Sequence, residues 1–216
     1  MDYQAFFDSI LGKVAVGALL CGLLVISSLM TGNKKQGATA LACSAVSIAL
    51  AFVLNNIIIF RMPQGGSVTP FSMFAVSVIG YWFGTRQGVM TGMAFGLLNM
   101  IVSPYVISPL QGLLDYPIAY GMLGLSGAAF HGRTYRDLIA GFTLGVLGRL
   151  FCSFLSGVLF FAEWAPEAYG AVLWSLVYNG SFMGAEYLLT ALTLAVRPFR
   201  EAVFTIGDRI KNTERA

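Results

Sequence analysis

The hydrophobic segments of this chain are too long and too closely spaced for a water-soluble domain. The 216-residue sequence is 57% hydrophobic and 11% charged, and its mean hydropathy is +0.76. In the bilayer core the backbone must satisfy its own hydrogen bonds, which restricts spanning segments to helices and closed barrels. The apolar runs lack the alternation typical of barrel strands. The sequence therefore predicts an all-α integral membrane protein.

Hydropathy windows of about twenty residues mark seven candidate spans. The spans cover residues 12–31, 37–60, 70–83, 88–103, 112–130, 138–161 and 170–196. An acidic and aromatic N-terminus precedes the first span, whereas a signal peptide begins with basic residues. We therefore interpret residues 12–31 as a span that is retained.

Charged residues are distributed unequally between the two sets of connections. One set carries Lys34, Lys35, Arg86, Arg133, Arg136 and the five basic residues of the C-terminal tail. The other set carries Lys13, Arg61, Glu163 and Glu167. The positive-inside rule then predicts an external N-terminus and a cytoplasmic C-terminus. The unusual connections RMPQGGS, SPYVISPLQ and EWAPEAYG would all face outward, as the mouth of a binding site would.

The stretch SPYVISPLQGLLDYP, residues 103–117, interrupts the apolar sequence with three prolines. Proline lacks a backbone donor and disfavours helix in the preceding residue, so we expect a structured bend here. Asp115 lies close to the next apolar run, where an unused carboxylate is costly. Two interpretations are open: a ligand-binding acid, or an acid that caps a helix at the membrane interface.

Polar and aromatic residues would converge in the outward half of a bundle of these helices. They are Tyr105, Asp115, Tyr116, Tyr120, Arg149, Ser153, Phe161, Trp164, Trp174, Tyr178, Asn179 and Glu186. Single aromatic residues at this depth are ordinarily interface anchors. Taken together, however, an acid, an asparagine and several rings suit a flat, cationic or heteroaromatic solute.

Two charged residues are predicted near the middle of spans. Arg149 lies about eleven residues into the sixth span, and Glu186 lies at comparable depth in the last span. An unpaired charge at this depth is expensive, so we expect a structural ion pair between them.

Small residues indicate two places where helices approach closely. The glycines of GTRQGVMTGMAFGLL fall at helical spacing, which favours close packing over phosphate binding. The second span carries Ala38, Ala42, Ala45 and Ala49 on one helix face. That face would pack either within this bundle or against a partner subunit.

Several functional classes lack the residues they require. Cys21, Cys43 and Cys152 lie in apolar runs without CxxC spacing, and His131 is the single histidine. The sequence has no GxSxG elbow, DDxxD cluster or GxxxxGK[ST] loop. We expect neither an enzyme nor a bound metal, and no nucleic-acid partner.

Four segments resemble one known family. They are PQGGSVTPFSM (63–73), SPYVISPLQGLLDYPIAYGMLGLSG (103–127), RLFCSFLSGVLFFAEWAP (149–166) and WSLVYNGSF (174–182). In order and spacing they resemble the thiamine-specific substrate-binding (S) subunits of energy-coupling factor (ECF) transporters. The resemblance covers roughly residues 38–197, so the first span lies outside it.

The resemblance implies an ECF S-component-like bundle of six transmembrane helices over residues 37–197. Residues 1–36 would add an N-terminal transmembrane helix and a basic loop, and residues 198–216 a cytoplasmic tail. Such a subunit binds thiamine from outside the plasma membrane of a prokaryote, under a loop that acts as a lid. It joins a membrane coupling subunit and two cytoplasmic ATPases, which hydrolyse ATP, so the chain itself needs no cofactor.

Residue roles also follow from the resemblance. Asp115 matches an acid that faces the vitamin, Tyr105 and Tyr116 match ring-stacking tyrosines, and Asn179 matches an asparagine that binds the aminopyrimidine. Three positions depart from the family pattern: Ser153 replaces a histidine, Phe161 a tryptophan, and Trp174 a tyrosine. The alanine face corresponds to the surface that contacts the coupling subunit. The predicted ligand-binding residues are Tyr105, Asp115, Tyr116, Ser153, Phe161, Trp164, Trp174, Tyr178 and Asn179.

Thiamine is accordingly the expected ligand of a substrate-specificity subunit. A thiamine precursor or another vitamin is the nearest alternative. A membrane scaffold protein, whose aromatic residues serve only as interface anchors, is the alternative from a different class. A membrane enzyme is a third interpretation, against which the missing catalytic residues argue.

Overall fold

The computed structural model describes residues 34–62, 65–128 and 134–215, together with Ser9 and Leu11. Most of these residues are helical. The helices are α1 (Lys34–Asn56), α2 (Ser72–Phe83), α3 (Thr85–Val102), α4 (residues 109–127), α5 (Tyr135–Phe160), α6 (Gly170–Ala195) and α7 (Arg197–Arg215). A hairpin of β1 (Phe60–Arg61) and β2 (Ser67–Val68) joins α1 to α2. The predicted first span, residues 12–31, lies outside the described residues.

Two of the described helices have the length and hydropathy of a membrane span. They cover Gly37–Asn56 and Tyr135–Phe160, and α2 is a shorter apolar helix of 12 residues. Both long helices leave many large apolar side chains exposed, such as Val53 and Phe151, as lipid-facing surfaces do. The all-α architecture predicted from hydropathy is thus observed.

The proline-rich bend produces an irregular helix. The chain leaves α3 at Val102, and α4 begins at Pro109, whose N-cap residue Ser108 accepts a hydrogen bond from Gln111 N. The first segment of α4 is α-helical over Pro109–Leu113 and continues as a π-helical turn over Leu114–Ile118, which contains Pro117. A short α-helical segment and a 3-10 segment complete α4. The wide turn places Asp115 and Tyr116 at the inner side of the bend.

Glycines of α3 bring its backbone against that of α4. A Cβ atom at Gly88 would lie 2.8 Å from Gly124 Cα, and one at Gly92 would lie 2.1 Å from Tyr120 O. At Gly96 it would lie 2.4 Å from Tyr116 O. Because these glycines recur every four residues, one face of α3 contacts α4 over two turns. This confirms the interpretation of the glycine spacing as close helix packing.

Helix α1 has two faces of different character. Its buried face includes Ser44, whose Oγ accepts hydrogen bonds from Gln87 Nε2 at 2.8 Å and from Thr91 Oγ1 at 2.9 Å of α3. Hydroxyl and amide groups of this kind hold helices together where no water competes. The opposite face, which carries the four alanines of the predicted partner surface, is exposed along its length.

The C-terminal region differs from a simple tail. Helix α6 ends at Ala195, Val196 adopts an extended conformation, and α7 then runs to Arg215. Arg200 Nη1 donates a hydrogen bond of 2.6 Å to Ala195 O and so satisfies a carbonyl at the end of α6. The tail predicted over residues 198–216 therefore forms a helix that packs on the bundle.

Substitution of Gly92 tests the contact between α3 and α4. Gly92→Ala forces a methyl group onto the carbonyl of Tyr120, so we expect the free energy of unfolding to fall by about 1–3 kcal/mol. Gly184→Ala is the matched control, because nothing lies within 4 Å of a Cβ atom there. Thermal unfolding in detergent measures both. Equal melting temperatures for the two variants would contradict the close packing.

Candidate ligand-binding site

A cavity of about 670 Å³ occupies one end of the bundle. Its walls come from the C-terminal end of α1, the hairpin, the start of α2, the bend and α4, and the facing halves of α5 and α6. The volume lies within the range of small-molecule sites. Polar residues that line it besides the predicted ones include Asn55, Asn99, Gln111, Ser156 and Glu186.

Asp115 is held in the cavity wall by Gln111. Gln111 Nε2 donates to Asp115 Oδ2 at 2.6 Å and to Tyr105 O at 3.2 Å, and its Oε1 accepts from Ile107 N at 3.1 Å. The Gln111 side chain is 1% exposed. It therefore connects the bend to the carboxylate and fixes the carboxylate before any ligand arrives. Of the two interpretations of Asp115, this position favours a ligand-binding acid over a helix cap.

Two tyrosines of the bend form a second wall. Tyr116 Oη accepts from Tyr105 N at 2.8 Å and donates to Ser103 O at 2.9 Å. The ring of Tyr105 stacks on that of Phe161, with centroids 6.0 Å apart and planes 19° from parallel. Tyr116 thus fixes the backbone of the bend, while Tyr105 and Phe161 present parallel ring faces at the cavity.

Helix α6 contributes a row of aromatic side chains. Trp174 and Tyr178 pack with ring centroids 5.9 Å apart, and Tyr178 packs against Phe182 at the same distance. The spacing of four residues that predicted a common face for Trp174 and Tyr178 is thus confirmed as a direct contact. A flat ligand would meet this row opposite the rings of the bend.

Asn179 is oriented by hydrogen bonds within α6 and to the neighbouring α5. Its Nδ2 donates to Ser175 O at 3.0 Å in α6 and to Ser153 O at 3.3 Å in α5. A Cβ atom at Gly157 would lie 2.1 Å from Ser175 Oγ, so the glycine lets α5 approach this part of α6. Because Asn179 donates its hydrogen bonds to Ser153 and Ser175 through Nδ2, its Oδ1 can accept a hydrogen bond from a ligand.

The hairpin closes the cavity from a third side. Gly66 N donates to Tyr178 Oη at 2.9 Å, and a Cβ atom at Gly66 would lie 2.8 Å from the ring of Phe182. Only a glycine allows the hairpin backbone to lie this close to the aromatic row. Arg61, on β1, lines the same opening.

Glu186 anchors the end of that hairpin, which corrects the predicted ion pair with Arg149. Thr69 Oγ1 donates to Glu186 Oε2 at 2.8 Å, and Ser72 Oγ and Met73 N donate to Oε1 at 2.9 Å and 2.8 Å. Glu186 is 3% exposed. Neutral donors at the start of α2 therefore satisfy both oxygens of the carboxylate without a cation.

Arg149 has a different environment from the one predicted. Its guanidinium carbon lies 4.0 Å from the centroid of the Tyr120 ring, and its buried Nε has no hydrogen-bond partner. A cation above an aromatic face is stabilised by the ring quadrupole. Arg149 and Tyr120 both line the cavity, so the arginine belongs to the wall of the site and not to an ion pair with Glu186.

All nine predicted ligand-binding residues line this one cavity. Sequence reasoning did not select Gln111, although it lies one helical turn before Asp115, which is a usable signal for a hydrogen bond. Asn55 and Asn99, joined by a bond of 2.9 Å, could have been found as amides inside apolar spans. Ser156 has no distinguishing signal. The predicted partner residues lie elsewhere, on the exposed face of α1.

The fold and the site together define a helical membrane protein with an aromatic cavity, lined by acidic and basic side chains, that has room for a small solute. The chain belongs to the thiamine transporter protein (Thia_YuaJ) family, whose model matches residues 41–205. The thiamine transporter ThiT of Bacillus subtilis is 26% identical over 198 residues, which cover 85% of this chain and 100% of that protein. ThiT of Lacticaseibacillus paracasei is 28% identical over 141 residues, covering 58% of this chain and 69% of that protein.

A solved structure shares the fold. The structure of ThiT from Listeria monocytogenes superposes with a TM-score of 0.59 at 24% sequence identity, over 85% of this chain and 98% of that one. The observed bundle is therefore an architecture already known in this family of transporters.

Removal of the Glu186 carboxylate tests the anchor of the hairpin. Glu186→Ala leaves two hydroxyl groups and one backbone amide without an acceptor, so we expect the free energy of unfolding to fall by about 3 kcal/mol or more. Glu163→Ala removes an exposed acid and serves as the control. Chemical or thermal unfolding in detergent distinguishes them, and equal stability would contradict the anchoring role.

Proposed function

We propose that this chain is the high-affinity thiamine-binding, substrate-specificity subunit of an ECF-type ATP-driven vitamin importer. The observation that carries the proposal is the convergence of the Asp115 carboxylate, the Asn179 amide and several aromatic side chains on a single cavity in a member of the thiamine transporter protein family. The family is one of transport proteins, and the chain acts as a binding protein without catalysis of its own.

The cavity suits the chemistry of a thiazolium cation. Asp115 supplies a negative charge that Gln111 already orients, so little reorganisation accompanies binding. Ring faces of Tyr105 and Trp174 stabilise a delocalised cation by about 0.5–2 kcal/mol for each contact. Such contacts are strongest once water has left the cavity, because the effective dielectric constant then falls.

The aminopyrimidine ring requires hydrogen-bonding groups at its edge. Asn179 Oδ1 would accept a hydrogen bond from the exocyclic amine. The hydrogen bonds that Asn179 Nδ2 donates to Ser153 O and Ser175 O hold the side chain in position. A site built around such a bond rejects ligands that lack the amine, because the buried acceptor would remain unpaired. Tyr116, Ser153, Phe161, Trp164 and Tyr178 complete the proposed ligand-binding set.

The partners expected of an S subunit are a membrane coupling subunit and two cytoplasmic ATPases. Ala38, Ala42, Ala45 and Ala49 are all exposed on one face of α1. A strip of small side chains allows the backbone of a second helix to approach closely in lipid. We assign this face to the coupling subunit.

The membrane arrangement follows the distribution of charge. The proposed location is the plasma membrane of a prokaryote, with the cavity open to the outside and α7 at the cytoplasmic end. Residues 37–197 form the proposed six-helix vitamin-binding domain, and residues 1–36 the additional helix and loop. ATP hydrolysis belongs to the partner ATPases.

Titration of the purified, detergent-solubilised protein with thiamine tests the proposed ligand. We expect saturable quenching of the fluorescence of Trp164 and Trp174, which line the cavity. Asp115→Asn should raise Kd about thirtyfold or more, since it removes the carboxylate proposed to face the cation, and Asn179→Ala should raise Kd up to about tenfold. Glu163→Gln, an exposed acid outside the cavity, is the matched control.

The outcomes separate the candidate functions. A response to the aminopyrimidine precursor or to another vitamin, but not to thiamine, would change the ligand and keep the binding subunit. If no vitamin quenches the fluorescence of the correctly folded protein, the proposal is contradicted and a membrane scaffold protein is favoured.

The alanine face has a separate test. Ala42→Trp places a large side chain on it, so we expect unchanged thiamine affinity together with loss of co-purification with the coupling subunit and loss of uptake in cells. Leu50→Trp, at an exposed position off that face, is the control. Equal co-purification of both variants would contradict the assignment.

A further inference from the structure

Helix α7 packs across the end of the bundle opposite the cavity. Phe204, 5% exposed, packs with Leu138 near the start of α5 and with Leu194 near the end of α6. Trp82 Nε1, near the end of α2, donates to Val203 O at 3.2 Å. A Cβ atom at Gly207 would lie 2.8 Å from the same nitrogen. One face of α7 is therefore fully engaged with three other helices.

A second apolar face of α7 is not covered by the bundle. Phe199 is 57% exposed and Ile206 is 47% exposed, and their separation by seven residues places them on the same side of the helix. Ala202 lies between them and is also exposed. We call this surface the outer stripe. The side chains of Glu201 and Thr205 lie on a different, polar side of the helix.

The outer stripe continues the exposed surface of α6. Leu188, Leu192 and Val196 are 58%, 70% and 50% exposed, and each follows the previous one by four residues. Phe199 follows three residues later. Exposed apolar residues thus follow one another along the chain from the outer side of α6 to the start of α7. An exposed apolar surface of a membrane protein suits lipid, so lipid is the occupant that suits both helices.

Basic residues are frequent at the end of the bundle that carries the outer stripe. Arg209 is exposed and lies within one turn of Ile206, and Arg86 and Arg136 are exposed at the same end of the bundle. Among the described residues 34–62, 65–128 and 134–215, this end carries nine basic and four acidic residues. The cavity end carries Arg61, Glu163 and Glu167. Positive charge beside an apolar stripe is complementary to a membrane surface that contains anionic lipids.

We propose that α7 is an interfacial helix whose outer stripe enters the bilayer at the end opposite the cavity and whose basic flank binds anionic phospholipid headgroups. We name lipid rather than a protein as the occupant for two reasons. Exposed apolar residues lead along the chain from α6 to the outer stripe, and the stripe itself offers few side chains for a protein to contact. Its consequence is that α7 fixes the depth of that end of the bundle in the membrane.

Hydrogen exchange of the full-length protein in nanodiscs tests this proposal. One set of nanodiscs contains phosphatidylcholine alone, and the other contains about one-third phosphatidylglycerol, which supplies the negative surface that attracts basic residues. We expect the amides of α7 to exchange about tenfold more slowly in the anionic nanodiscs. The amides of α3, whose polar and glycine contacts are internal, should exchange equally in both.

Variants distinguish the contribution of the outer stripe from that of the basic residues beside it. Phe199→Ser with Ile206→Ser should speed the exchange of α7 in both lipids, whereas Arg209→Gln should reduce only the difference between them. Thr205→Ala, on the polar side, is the matched control. Unchanged thiamine binding shows that a variant is folded. Arg209→Gln alters an exposed side chain and should leave the packing of α7 on the bundle intact.

Three results would overturn the proposal. Equal exchange of α7 in the two lipid compositions would remove the role of anionic lipid. Exchange that is unaffected by the double serine variant would show that packing on the bundle alone holds the helix. Protection of the stripe only in the presence of the coupling subunit, whatever the lipid, would assign the surface to a protein and equally contradict a lipid occupant.

Discussion

The contact between the backbones of α3 and α4 is the constraint on which the site depends. Gly88, Gly92 and Gly96 repeat at every fourth position, and each would clash with α4 if it carried a Cβ atom. Lipid offers no hydrophobic drive for helix association, so close packing of small residues must supply much of it. Since Gly92 and Gly96 contact the carbonyls of Tyr120 and Tyr116, this contact fixes the helix that presents Asp115.

Because this contact holds α4 in place, the side chains that α4 presents to the cavity are also held in place. Gln111 joins the carboxylate of Asp115 to the bend, and Tyr116 holds the backbone of the bend itself. On the other side, α6 is positioned against α5 by two hydrogen bonds, from Asn179 Nδ2 to Ser153 O and from Ser175 Oγ to Phe154 O. The site is therefore built from groups whose bonds to the protein already restrict them, which lowers the entropic cost of binding a ligand. The basic residues at the opposite end of the bundle lie away from this cavity, and we propose that they meet the membrane surface.

Local patterns in the sequence predicted the features that local patterns control. The helices, the bend at the prolines, the packing face of glycines and the contact between Trp174 and Tyr178 all follow from the spacing of residues within one segment. The role of Glu186 could not be predicted in this way, because its partners Thr69 and Ser72 lie 117 and 114 residues away. A mid-span acid and a mid-span arginine suggested mutual pairing, yet hydroxyl groups and a backbone amide satisfy the acid, and an aromatic ring faces the arginine. The helix at the C-terminus was also missed, since its low mean hydropathy resembles that of a tail unless its two faces are separated.

A crystal structure of the protein with bound thiamine tests the central claim most directly. The account predicts one vitamin molecule in the cavity, with its cationic ring between the aromatic walls near Asp115 and its amine within hydrogen-bonding distance of Asn179 Oδ1. Thiamine bound elsewhere, or an empty cavity at saturating thiamine, would contradict the assignment of this cavity as the site of recognition.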